Sequence, residues 1–104
     1  MKTDPHGQLD LMLLSVLQAG PAHGYRVIER LREQSGGAFG LPEGTVYPAL
    51  HRLERSGMLE SRWSDDAPRR RRVYEVTPAG HGALEQKRRD WRAFSGALRA
   101  VIGT

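Results

Sequence analysis

Residues 41–59, LPEGTVYPALHRLERSGML, limit the fold more than any other stretch of the chain. Val46, Ala49, Leu50 and Leu53 fall at i, i+3, i+4 and i+7, so a helix gathers them on one side and turns that side to a core. The opposite side carries Thr45, Tyr47, His51, Arg52 and Arg55. Gly57 supplies the stop. Two starts fit Pro48. If Thr45 caps the helix, Pro48 lies in the first turn, where its missing N–H matters little. If the helix begins a turn earlier, near Pro42, a bend is expected at Pro48.

Two amphipathic helices precede it. In LDLMLLSVLQA, residues 9–19, Leu9, Met12, Leu13, Val16 and Leu17 form one stripe that Leu11 and Leu14 widen, and Gly20-Pro21 ends the segment. In HGYRVIERLREQS, Gly24, Val27, Ile28 and Leu31 point inward while Arg26, Glu29, Arg30 and Glu33 point outward, until Gly36-Gly37.

After residue 57 the pattern changes. Leu59 to Trp63 and Arg72 to Val76 are extended candidates, joined by the polar, proline-containing SDDAPRR, so they form a hairpin with a charged tip. Tyr74 and Val76 share its buried face. Thr77-Pro78 is a cap followed by a first-turn proline, opening a last helix. On that helix Leu84, Trp91, Phe94, Leu98 and Val101 make an a/d seam interrupted by Lys87, narrower than the other faces and suited to a helix of a second copy.

A chain of 104 residues holds one modest core and gains from oligomerising. It has no cysteine, which removes disulfides, thiolate metal sites and cysteine nucleophiles. No apolar run approaches the ~18 residues of a membrane span. The amino terminus lacks a basic region followed by an apolar signal core, so a cytoplasmic location is expected. Net charge is +4, carried almost entirely by arginine, whose planar fork matches phosphate oxygens and guanine edges. A solvated arginine-rich surface is the plainer alternative.

Three helices, a basic hairpin and a long helix are the order of a winged helix-turn-helix. The fold expected is mainly α with a small β-hairpin: a winged unit over residues 1–76 and a C-terminal dimerisation helix over 77–104, in one compact body. In such folds the second helix of the motif enters the major groove, which turns Thr45, Tyr47, His51 and Arg52 to DNA. Arg69, Arg70, Arg71 and Arg72 then lie along the backbone or minor groove. Gly44 and Thr45 can aim N–H groups at a phosphate. His23, with Gly24 and Tyr25, either caps the second helix or brings its start to phosphate. Arg52 has the alternative of pairing with Glu54 or Glu29, and Arg55 that of a local pair.

The segments LDLMLLSVL, GPAHGYRVIERL, LPEGTVYPALHRLERSGML, RRRRVYEVTPAG and WRAF resemble the PadR-type transcriptional regulators, in that family's order and spacing and over essentially the whole chain. The resemblance implies a winged helix-turn-helix, a homodimer built on the C-terminal helix, and repression relieved by a small molecule. It also implies that Tyr47, beside Pro48, lies at the DNA-facing end of the reading helix, and a single C-terminal helix is similar to the family's short branch. In some relatives aromatic residues of the last helix stack on flat effectors, a role that would fall to Trp91 and Phe94, whose plainer role is seam packing.

The function expected is a dimeric repressor on palindromic duplex DNA, with a small planar effector and no cofactor. A protein-binding winged module is the alternative. An enzyme is disfavoured because no nucleophile is paired with a base and no phosphate-cradling glycine loop occurs. A metal site is disfavoured because His6, His23, His51 and His81 show no i, i+4 pair.

Overall fold

The computed structural model describes residues 7–65 and 70–103. Its elements are α1 (Gly7–Gln18), β1 (Ala22–His23), α2 (Gly24–Gln34), α3 (Glu43–Arg55), β2 (Leu59–Trp63), β3 (Arg72–Val76) and α4 (Pro78–Ile102). The three strands form one antiparallel sheet in the order β1-β3-β2.

The apolar stripes meet in a single core. Leu13, Leu14 and Leu17 of α1, Val27 and Leu31 of α2, and Val46, Leu50 and Leu53 of α3 are buried with Leu59, Tyr74 and Val76 of the sheet. Arg30, expected on the outer face of α2, crosses to the end of α1, where its guanidinium donates to the carbonyls of Gly20 (3.0 Å) and Val16 (3.5 Å). It satisfies carbonyls that the end of α1 leaves without helical partners.

The start of α3 is the earlier of the two expected. Pro42 occupies the cap position, and its carbonyl accepts from the N–H groups of Thr45 (3.0 Å) and Val46 (3.1 Å). Pro48 therefore sits inside the helix. It cannot donate to the Gly44 carbonyl one turn back. At the other end Met58 N–H reaches the Leu53 carbonyl and Gly57 N–H the Glu54 carbonyl, with Gly57 at φ +82°, a conformation that favours glycine.

The hairpin strands have the expected bounds, paired from Leu59↔Val76 to Trp63↔Arg72. β1 is an addition. Its pairs Ala22↔Tyr74 and His23↔Val73 tie the start of α2 to the strand that carries the basic tip. Helix α4 opens as expected, Thr77 accepting from Gly80 N–H at 3.0 Å. Gly80 itself must lack a side chain, because a Cβ there would overlap the Met58 carbonyl.

One seam assignment needs correction. Leu84 is fully buried in its own chain's core, so it has no surface left for a second copy. The a/d spacing is continuous through 84 and 91, but α4 leaves the core between them. Beyond Leu84 no residue of α4 is buried, and Trp91, Phe94, Leu98 and Val101 are exposed. This projecting half draws the molecule out to 53 × 29 × 22 Å.

Candidate nucleic-acid interface

The inward stripe of α3 fixes which of its residues remain outside. With Val46, Ala49, Leu50 and Leu53 buried, Gly44, Thr45, Pro48 and His51 are exposed along one edge. Tyr47 leans from that edge over the start of α2. Its ring lies so close to Gly24 that a Cβ on Gly24 would stand 2.5 Å from it. Burial, and after it the Glu43 carboxylate, raise the Tyr47 hydroxyl above its usual 10, which leaves the phenol protonated as a hydrogen-bond donor.

Next to Tyr47 stands His23. Its Nδ1 accepts from Arg26 N–H at 3.2 Å and so caps α2. Its Nε2 lies 3.0 Å from a guanidinium nitrogen of Arg71, which has come across from the hairpin. Burial and then the Arg71 charge lower the ring's pKa from 6.5, so it is neutral at pH 7. Tyr25, on the next residue of α2, is 55% exposed.

The hairpin arginines differ from one another. Arg72 donates to Ser61 Oγ at 2.8 Å and approaches Glu54 at 3.9 Å, while Ser61 donates to the same Glu54 carboxylate at 2.6 Å. Arg70 and Arg72 lie over the Trp63 ring, at 5.3 and 5.1 Å from its centre. That stacking limits where the two charges can point. Arg71 faces the other way, toward His23. Arg69 lies outside the described residues. The start of α2, the exposed edge of α3 and the base of the hairpin thus form one surface, joined by Tyr47 on Gly24 and Arg71 on His23, with its positive charge contributed by the hairpin arginines.

A match to the transcriptional regulator PadR-like family spans residues 13–86. The chain belongs to that family. Its relatives include a transcriptional regulator of Mycobacterium tuberculosis, 43% identical over 81 residues, which are 78% of this chain and 60% of that protein. Among solved structures, a transcriptional regulator from Clostridium thermocellum is 30% identical, with a TM-score of 0.81 over 94% of this chain and 92% of the other. A PadR family transcription regulator from Clostridium difficile is also 30% identical, with a TM-score of 0.81 over 90% of this chain and 97% of the other. The fold is the winged-helix fold of PadR regulators, and the family is one of transcriptional regulators, not enzymes. The family match stops before Trp91, so it does not reach the exposed half of α4.

Within this PadR-like unit two expected DNA contacts take other roles. Arg52 turns back to Asp10 on α1, pairing both terminal nitrogens with the carboxylate at 2.7 and 2.9 Å. That pair makes Arg52 an anchor for α3. Gly24 is buried, and what it contributes is room for the Tyr47 ring. His51, Thr45 and Pro48 keep the outward position expected of them.

Two features of the surface were missed in the sequence. Asp10 sits 42 residues before Arg52, and nothing local marks them as partners. Trp63 had a usable signal: once the hairpin register is drawn, it lies directly across from Arg72. Among the described residues no group of His, Asp or Glu gathers as a metal site, and no helix is long and apolar enough to cross a membrane.

Proposed function

We propose that this PadR-family chain acts as a homodimeric repressor that binds palindromic operator DNA. Helix α3 reads the major groove through Thr45, Tyr47 and His51, while Arg70, Arg71 and the tip of the hairpin hold the flanking backbone. The observation that carries this reading is the convergence of α2, α3 and the hairpin, where the Tyr47 ring lies on Gly24 and Arg71 reaches His23. Tyrosine and arginine donate well to phosphate oxygens, and charge concentrated on one face supplies the sequence-independent part of such binding.

The winged unit of residues 1–76 then reads DNA, and the helix of 77–104 joins two copies. The projecting half of α4 supports the dimer. Trp91, Phe94 and Leu98 are each between 38% and 44% exposed, and Val101 is 84% exposed. Fully burying a large apolar side chain is worth about 1.5–3 kcal/mol, so several half-exposed ones give association a substantial driving force. Trp91 and Phe94 already stack, with ring centres 5.8 Å apart, which supports a planar aromatic effector as the releasing ligand. Such a ligand would act in the cytoplasm by favouring the arrangement of the two α3 helices that fits DNA less well.

The test is a fluorescence-anisotropy titration of the chain against a palindromic duplex from its own promoter region, with a scrambled duplex as control. Preference for the palindrome, weakening steeply as salt rises, is the expected result. Equal affinity for both duplexes, unaffected by salt or by Arg70→Ala with Arg71→Ala, would point instead to a winged module that binds protein.

A further inference from the structure

His23 carries two contacts that a single imidazole cannot both satisfy. A neutral ring has one nitrogen that donates and one that accepts. Arg26 N–H approaches Nδ1 at 3.2 Å, and an Arg71 guanidinium nitrogen approaches Nε2 at 3.0 Å. Both neighbours are donors without acceptor capacity. If Nδ1 keeps the α2 cap, the ring's hydrogen sits on Nε2 and faces the N–H of Arg71. If Nε2 accepts from Arg71, the cap is lost. A cationic ring could accept from neither. Burial holds the ring neutral, as do Arg71, Arg26 and Arg30, with Glu29 opposing them.

We infer that the missing partner is a phosphodiester oxygen of the bound duplex, which accepts from His23 Nε2–H and from Arg71 together. An anionic oxygen has acceptor capacity alone, and arginine is well matched to it. With that oxygen in place the cap on α2, the ring proton and the guanidinium are all satisfied. The inference rests on the DNA-binding reading above and adds a defined contact to it: binding selects one tautomer of His23 and fixes the hairpin relative to α2. The conflict lies on the exposed surface, where the duplex backbone can reach it, and the Arg71 charge also acts on the neighbouring Tyr47 hydroxyl.

The test uses the full chain with 15N-labelled histidine, whose ring nitrogens report their protonation by chemical shift. Free protein is expected to show His23 divided between its two tautomers. With the palindromic duplex, Nδ1 is expected to become fully unprotonated and Nε2 fully protonated. Inorganic phosphate at the same concentration of phosphate groups is expected to leave the free spectrum unchanged. A protonated Nδ1 in the complex, or a ring spectrum that ignores DNA, would overturn the inference. The same shift produced by inorganic phosphate alone would overturn the assignment to the duplex backbone.

A variant series gives the energetic counterpart. His23→Asn keeps a capping oxygen for α2 and takes away the Nε2–H, since the shorter Asn amide has no donor at that position. Its affinity for the duplex is expected to fall about tenfold, the scale of one hydrogen bond to a charged group. Arg71→Ala is expected to lose more, and the double variant little beyond Arg71→Ala, because both donors serve one oxygen. Losses that simply add, or an unchanged His23→Asn in a protein whose wild type binds with steep salt dependence, would overturn the inference and leave the DNA-binding reading standing. A wild type that binds no duplex would overturn both.

Discussion

Among the described residues Asp10 is the one buried carboxylate, and Arg52 of α3 grips it with both terminal nitrogens. Removing one member of such a pair leaves the other poorly solvated, and the loss exceeds what the pair contributes. Arg52 is partly exposed, so Asp10→Asn is expected to cost roughly 1–3 kcal/mol, read as a lower urea midpoint with an unchanged slope. His23 adds a pH dependence. Its folded-state pKa lies below 6.5, because burial and Arg71 disfavour the charged ring. The unfolded chain therefore binds more protons as pH falls through 6.5, and the stability due to this residue, complete above that value, is lost from there downward. Urea midpoints are expected to fall more between about pH 7 and pH 5.5 in the wild type than in His23→Asn, which caps without titrating.

Helix α3 accepts an interior proline in order to begin at Glu43. A proline within a helix costs about 3 kcal/mol, part of it offset because proline also restricts the unfolded chain. Pro48→Ala is accordingly expected to raise stability by roughly 1–2 kcal/mol in thermal or urea unfolding. The sequence left the start of α3 open because Thr45 can cap while the stretch from Pro42 can also begin a helix; Glu43, favourable in a first turn, lies on the side of the longer helix. Hairpin and helix caps were legible, since Thr77-Pro78, Gly57 and the alternation around Tyr74 act locally. β1 was not. Two residues show no alternation, and Ala22 and His23 become a strand only because β3 lies beside them. Leu84 failed for a different reason. Spacing says which residues share a face, not whether that face meets its own core or another chain.

In the whole molecule the long axis is set by α4, whose second half has no core to lie on. Leu98→Glu with Val101→Glu is expected to convert dimer to monomer in sedimentation, while the core melts nearly as before, because neither residue contributes to it. The family and its fold could be read from the order and spacing of motifs. The joining of the surface could not: His23 and Arg71 are 48 residues apart, and their meeting depends on β1 pairing with β3. The most direct test of a two-fold reader is a hydroxyl-radical footprint on a palindromic promoter fragment, with the number of bound chains measured alongside. Two chains per duplex are expected, with two symmetric protected patches centred about 34 Å apart, one turn of the helix. A single chain per duplex, or one unsymmetrical patch, would contradict it.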